Sequence, residues 1–276
     1  DRVTELTARH TYGTWRVQKG WQPLNVTRAE GCYFWDATGK RYLDFSAQLM
    51  CSNLGHQNPA VVEAICKQAR ELAFISPAFT CAVRAELSQK LLEVMPRGLD
   101  KFFYSTSGTE ANEAAIKMAR MVTGKHKIIS RYKSYHGSTA ASIAATGDLR
   151  RWFAEPTGVI PGVIHGPETS CYRCPLGHQH PGCGLACAEY LAHMIDQEGN
   201  VAAIIIEPIV GTNGVLVPPA DYLPRLAKLA RERGVLLIAD EVMSGWGRTG
   251  DWFAVNHYDV VPDILCTAKG ITSAMA

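Results

Sequence analysis

Four places in the chain set a chemically useful side chain directly after a short apolar run. Ser105–Thr109 follow KFFY, Glu207 follows VAAIII, Asp240 ends VLLIAD, and Lys269 follows DILCTA. A lysine at the buried end of a strand is stripped of water, which favours the neutral, nucleophilic amine. The plainer reading, a snorkelling lysine or the partner of an acid, fits most lysines. An aspartate in such a place is unfavourable unless it meets a cation or several donors. A protonated pyridine nitrogen is one such cation, and backbone amides of a loop are the commoner alternative. In STSGTE, the hydroxyls of Ser107 and Thr109, the free amides of a helix start and the small Gly108 make a phosphate cradle. Read alone, Thr109 simply caps a helix. Tyr135 and His136, in YKSYHG beyond the run KIIS, offer a ring to stack on a flat cofactor or else two core aromatics. No one of these signals decides. Their order does more: cradle, stacking aromatic, acid for a ring nitrogen, nucleophilic lysine.

Elements must bring these positions together. KFFYS, KIIS, VAAIIIEP, GVLLIADEV and DILCTA read as strands, separated by the helices TEANEAAIKMARMV, closed by Gly124, and ADYLPRLAKLARER, closed by Gly234. Continuous apolar strands alternating with helices indicate an α/β fold: a mainly parallel sheet covered on both faces. Such sheets carry ligand chemistry at the carboxyl ends of their strands, where the four polar positions fall. Upstream, residues 1–30 read as irregular and rich in aromatics, and GCYFWDATGKRYLDFS as a hairpin turning at Asp36–Lys40 with Gly39 at positive φ. Asn58 and Pro59 suit a helix start, and Val61, Ile65, Ala69 and Leu72 its apolar stripe. A second helix is expected from Ala82 to Met95, stopped by Pro96.

Composition narrows the function classes. With 276 residues, 28 basic and 26 acidic, the formal net charge of +2 leaves no electrostatic footprint for nucleic acid or an anionic membrane surface. No apolar stretch approaches the roughly 20 residues of a membrane span. Nine cysteines, an odd number, argue against a disulfide framework and for a reducing cytoplasm. The chain starts at Asp1, so a leader removed earlier stays open.

With these residues on the page, the chain resembles the class III (ω-type) aminotransferases, which have the aspartate aminotransferase fold (pyridoxal-phosphate fold type I). The matching stretches are AEGCYFWDATGKRYLDF, NLGHQNP, STSGTEANEAAIKMAR, SYHG, IIIEPIVGTNGVLVPP, LIADEVMSGWGRTG and CTAKGIT, spanning about residues 28–273. The resemblance implies pyridoxal 5'-phosphate as cofactor. Lys269 would hold it as a Schiff base and shuttle a proton, and Asp240 would pair with its ring nitrogen. Ser107, Gly108 and Thr109 would hold its phosphate, Tyr135 and Val242 would cover the two ring faces, with His136 beside them, and Glu207 would lie near the phenolic oxygen. It further implies an amine or ω-amino acid donor, an oxo-acid acceptor such as pyruvate, a ping-pong mechanism and a homodimer. Residues 1–57 would be the N-terminal part of a small α+β domain and 58–276 the cofactor-binding large domain. The family continues well past Ala276 with a part that supplies a substrate-binding arginine and a threonine reaching the neighbouring subunit, so residues 1–276 alone are expected to fold poorly. Met243 stands where many members carry glutamine, although DEVM also occurs in those resembling taurine– and β-alanine–pyruvate aminotransferases. An aminomutase of the glutamate-semialdehyde type would share cradle, aspartate and lysine. A non-catalytic zinc-loop protein is the alternative from another class.

Three motifs compete for attention. GWGRTG at Gly245–Gly250 matches a dinucleotide fingerprint literally, but DEVMS intervenes after the strand, no convincing helix follows, and no acid stands about 20 residues on. Cys171, Cys174, Cys183 and Cys187 form C-x2-C-x8-C-x3-C around His178 and His180, which suggests a zinc knuckle. The favoured reading is a surface loop of reduced thiols with no metal in the active site. His56, in NLGHQNP, is expected to hydrogen-bond within a loop rather than act as a base.

Overall fold

The computed structural model describes residues 1–275 and divides them into two compact units, residues 1–74 with 272–275 and residues 75–271. The first contains helix α1 (Arg2–His10), the antiparallel strands β1 (Val26–Glu30), β2 (Tyr33–Asp36) and β3 (Arg41–Leu43), a single turn α2 (Ala47–Met50) of positive φ, and helix α3 (Pro59–Glu71). The hairpin forms where the aromatic runs flank the turn, with the Phe34 and Tyr42 rings stacked 5.1 Å apart and Gly39 at φ +84. Asp36 closes the turn by accepting from the Thr38 and Lys40 amides and the Thr38 and Tyr42 hydroxyls. The two hydroxyls hold its carboxyl down at about 2. Asn58 caps α3 through the Ala60 amide, with Pro59 in the first turn. His56 bonds the Asp44 carboxylate at 2.8 Å. Residues 1–30 are not irregular as expected, for they contain α1 and β1. Helix α1 buries no side chain, its Val3 and Leu6 staying exposed.

The second unit runs α4 (Ala82–Leu92), α5 (Gly108–Thr123), β4 (Lys127–Arg131), α6 (Ala140–Ala145), α7 (Leu149–Ala154), β5 (Val163–Gly166), α8 (Ala186–Glu198), β6 (Val201–Ile206), α9 (Tyr222–Glu232), β7 (Leu236–Asp240) and β8 (Ile264–Cys266). Its five strands are all parallel, in the order β5-β4-β6-β7-β8. Central β6 is buried along its whole length, which is why it reads as an unbroken apolar run. Its side chains alternate between two cores. Ile204 and Ile206 pack with Leu191 of α8 and Leu226 of α9, while Ile205 packs with Ile116 of α5 and Ala145 of α6. Each large aliphatic side chain so buried contributes about 1.5–3 kcal/mol.

One expected strand is absent. Residues 101–105 (KFFYS) join no ladder, and β8 is left as the sheet edge. A strand is defined by its partner, and none of the described residues provides one here. Among the described residues, no helix is long and apolar enough to cross a membrane.

Candidate active site

Helix α5 aims its N-terminus at the carboxyl edge of the sheet because three glycine-dependent contacts hold it there. Ser107, not Thr109, is the cap: its hydroxyl accepts from the Glu110 amide at 3.2 Å. Glu110 in turn accepts from the Thr106 amide and hydroxyl, which keeps its exposed carboxyl below the usual range. The amides of Gly108 and Thr109 have no hydrogen-bond acceptor among the described residues, so the helix offers free donors at its positive end. Gly108 lies against two other segments at once. A Cβ there would come within 2.7 Å of Val242 Cγ1 and 3.3 Å of Ala268 Cβ. Gly137 makes the third contact, since a Cβ on it would meet Thr109 Oγ1 at 2.6 Å. Thr109 Oγ1 itself accepts from the Ser138 amide.

These contacts converge the sequence-read positions. Val242 follows Asp240 at the end of β7, and Ala268 precedes Lys269 beyond β8. Gly137 follows Tyr135 and His136 in the loop after β4. Parallel pairing of β7 with β8 sets Asp240 beside Cys266, three residues before Lys269. Lys269 is half-buried in a short helical turn.

Asp240 is 3% exposed and fully engaged. Its Oδ2 accepts from Asn112 Nδ2 at 2.7 Å and bonds His136 Nδ1 at 2.7 Å, and its Oδ1 accepts from the Val242 amide at 3.0 Å. Several donors therefore hold this buried acid, as its position requires. His136 is not a free stacking ring: it is buried against Asp240, and its Nε2 has no partner. Tyr135 carries the Arg150 guanidinium 5.0 Å over its ring, and its amide donates to Glu207 Oε1. Glu207 is buried, and its Oε2 accepts from the Gly211 amide. Burial lifts its carboxyl above the ordinary range, while His136 nearby opposes the rise. Met243 packs directly on Gly211, where a Cβ would fall 1.8 Å from its sulfur. The site thus has a thioether in that position, and Gly211 is the residue that admits it.

Four supporting residues escape a reading by strand ends. Asn112 lies one helical turn beyond Gly108, and its Nδ2 bridges Asp240 and the His136 carbonyl. Its only sequence signal is a polar residue on the apolar face of α5. Glu113 accepts from the Ala141 and Ser142 amides and so caps α6, which fixes the loop ahead of it. Glu241, fully buried, takes the Ser244 hydroxyl and the Val255 amide and anchors the GWGRTG loop. That loop is a set of turns followed only by the short 3-10 helix Ala254–Tyr258. Arg131 is fully buried at the end of β4 and donates to the Glu207 carbonyl.

The chain's mainly parallel sheet, with a helix N-terminus, an acid and a lysine at its carboxyl edge, is shared in fold with solved transaminases of fold type I. A crystal structure of taurine:2-oxoglutarate aminotransferase from Bifidobacterium kashiwanohense, in complex with PLP and glutamate, superposes with a TM-score of 0.92 at 40% identity. It is matched over 100% of this chain and 63% of its own. Residues 15–276 match the model of the class III aminotransferases, and the chain belongs to that family. A leucine/methionine racemase of Thermococcus litoralis is 38% identical over 251 residues, 90% of this chain and 56% of its own length. A putrescine–pyruvate aminotransferase of Pseudomonas aeruginosa is 37% identical over 258 residues, again 90% and 56%. The chain spans little more than half the length of these curated relatives.

Proposed function

We propose that this chain is the cofactor-binding part of a pyridoxal-phosphate-dependent transaminase that moves an amino group from an amine or ω-amino acid to an oxo acid. The observation that carries the reading is Gly108, which seats the free amides of α5 against the segments bearing Asp240 and Lys269. The residues fit the cofactor: a cradle of free amides and hydroxyls for a phosphate, and a buried carboxylate held by three donors for a ring nitrogen. Bound pyridoxal phosphate supplies an aldehyde that condenses with amines and a pyridinium ring that withdraws electrons.

The protein's own groups do the rest. Ser107, Gly108 and Thr109 bind the phosphate through hydroxyls, amides and the helix dipole. Asp240, held by Asn112, His136 and the Val242 amide, keeps the ring nitrogen protonated. Tyr135 and Val242 would be the residues that pack on the cofactor ring, and Glu207 would lie on its substrate side. Lys269 would be the residue that holds the cofactor through its aldehyde, and its Nζ, once free, would be the group that takes up and returns a proton. The reaction runs as two half-reactions, donor product leaving before the acceptor enters, with pyruvate as acceptor. The small-molecule partners are an amine and an oxo acid, and the assembly is a cytoplasmic homodimer. Residues 1–57 belong to the small domain and 58–276 to the large one.

A racemase among the relatives makes product identity part of the test. The whole protein is incubated with pyridoxal phosphate, reduced with borohydride and mapped by mass spectrometry, and separately assayed with pyruvate and a panel of amines. A cofactor adduct on Lys269, absent from Lys269→Ala, together with a free oxo product, is expected. An adduct on another lysine would sink the site. Inverted amino acid, or an isomerised product in place of a free oxo product, would replace transamination by racemisation or aminomutase chemistry.

A further inference from the structure

The loop between β5 and α8 contains the cysteine motif that the transaminase reading does not use. Cys171, Cys174, Cys183 and Cys187 line one cavity together with His178 and His180. The cavity measures about 20 Å³, room for roughly one water-sized body. All four thiols are free. We propose that these four cysteines bind a single zinc ion as thiolates.

Several features prepare the site. The first pair, C-x2-C, turns back at Gly177, whose amide donates to the Cys174 carbonyl and whose φ is +72. The second pair brackets the start of α8: the Cys183 carbonyl accepts the Ala186 amide, and Cys187 lies in the first turn of that 13-residue helix. His180 Nδ1 comes within 4.0 Å of the Cys183 sulfur, the kind of outer hydrogen bond that orients a metal ligand.

An independent feature lies behind the cavity. Arg131 is 1% exposed, yet its guanidinium meets only neutral groups: the Thr169 hydroxyl, the Tyr222 hydroxyl and the Glu207 carbonyl. These are the hydrogen-bond partners of its guanidinium among the described residues, none of them a carboxylate, and its Nε has no partner. Thr169 also lines the thiol cavity. A buried cation without an anion is unfavourable. Four thiolates around one Zn²⁺ have a net charge of −2 and supply the missing counter-charge across Thr169. Binding releases the four thiol protons to solvent, with no oxidation.

Sulfur donors in a tetrahedral set select zinc or an iron–sulfur cluster, and a cavity for one body favours a single ion. Among the described residues no three His, Cys, Asp or Glu side chains already stand close enough to hold an ion. Closure therefore takes side-chain rotations in a loop where Cys171 is exposed and Cys174 and Cys183 are half-buried. The ion would tie the crossover after edge strand β5 to the start of α8.

The test uses the whole protein, purified under reducing conditions without chelator or metal-affinity resin. Elemental analysis should find about one zinc per chain. It should be lost in Cys174→Ser and in Cys183→Ser, and retained in Cys66→Ser, whose thiol lies in α3. Replacing zinc with Co²⁺ should give the intense visible bands of tetrahedral thiolate coordination, a readout that needs no variant to fold. Substoichiometric metal with all four thiols alkylated as fast as exposed Cys32 would overturn the proposal, as would a Cys171–Cys174 disulfide in the native protein. Neither readout involves transamination, so this proposal and the enzymatic one stand or fall separately.

Discussion

Asn112 shows how much of the site depends on a residue that touches no reacting atom. Its amide donates at once to Asp240 Oδ2 and to the His136 carbonyl, both at 2.7 Å and both fully buried. Removing it leaves a buried carboxylate short of one donor and frees the loop that presents Tyr135. Asn112→Ala is expected to lose about 1.5 kcal/mol, or roughly tenfold in cofactor affinity, together with a lower melting temperature. Titration of the reconstituted protein with pyridoxal phosphate, alongside a thermal melt, measures both. Unchanged affinity with a lower melting temperature would make Asn112 a packing residue only.

At the scale of elements, α5 and the strand ends fit because one residue lacks a side chain. Gly108 stands where a Cβ would come within 2.7 and 2.9 Å of the two Val242 methyls. Gly108→Ala should therefore destabilise the unit by about 1–3 kcal/mol, the usual range for overpacking. The second substitution Val242→Ala, by removing the methyls, should recover most of that loss. Thermal melts of the single and double variants decide it: a Gly108→Ala protein as stable as the parent would mean that α5 does not lie this close to β7. The same reasoning explains why KFFYS failed as a strand. Its composition suits β structure, but a ladder needs a neighbour, and no strand among the described residues pairs with it.

For the molecule as a whole, one half-buried imidazole adds a pH dependence to stability. Burial, aided by the Arg151 guanidinium, holds His165 of β5 down at about 4 from an ordinary 6.5, while its Nε2 bonds the Ala145 carbonyl. Above pH 6.5 the ring is neutral in both folded and unfolded chains, so its contribution to stability is fully present. As pH falls from 6.5 towards 4 the unfolded chain takes up a proton that the fold refuses, and stability is lost. His165→Gln should flatten the fall in melting temperature over that window. Parallel curves for parent and variant would assign the acid sensitivity to other groups.

The sequence by itself determined the parallel α/β sheet, four of its five strands though not β5, and Asp240 and Lys269 as strand-end residues. Long buried strands leave unbroken apolar runs, and the residue that ends such a run lies at the sheet's carboxyl edge. The caps at Asn58 and the hairpin at Gly39 were legible too, because both are local chemistry. Tertiary structure alone decided that His136 is bound to Asp240. It alone brought Asn112, 128 residues away in sequence, onto the same carboxylate. It also set Arg131 beside the thiol cavity with no acid to meet. These are pairings across the sheet, where the partner's distance in space bears no relation to its distance along the chain, and no local periodicity records them.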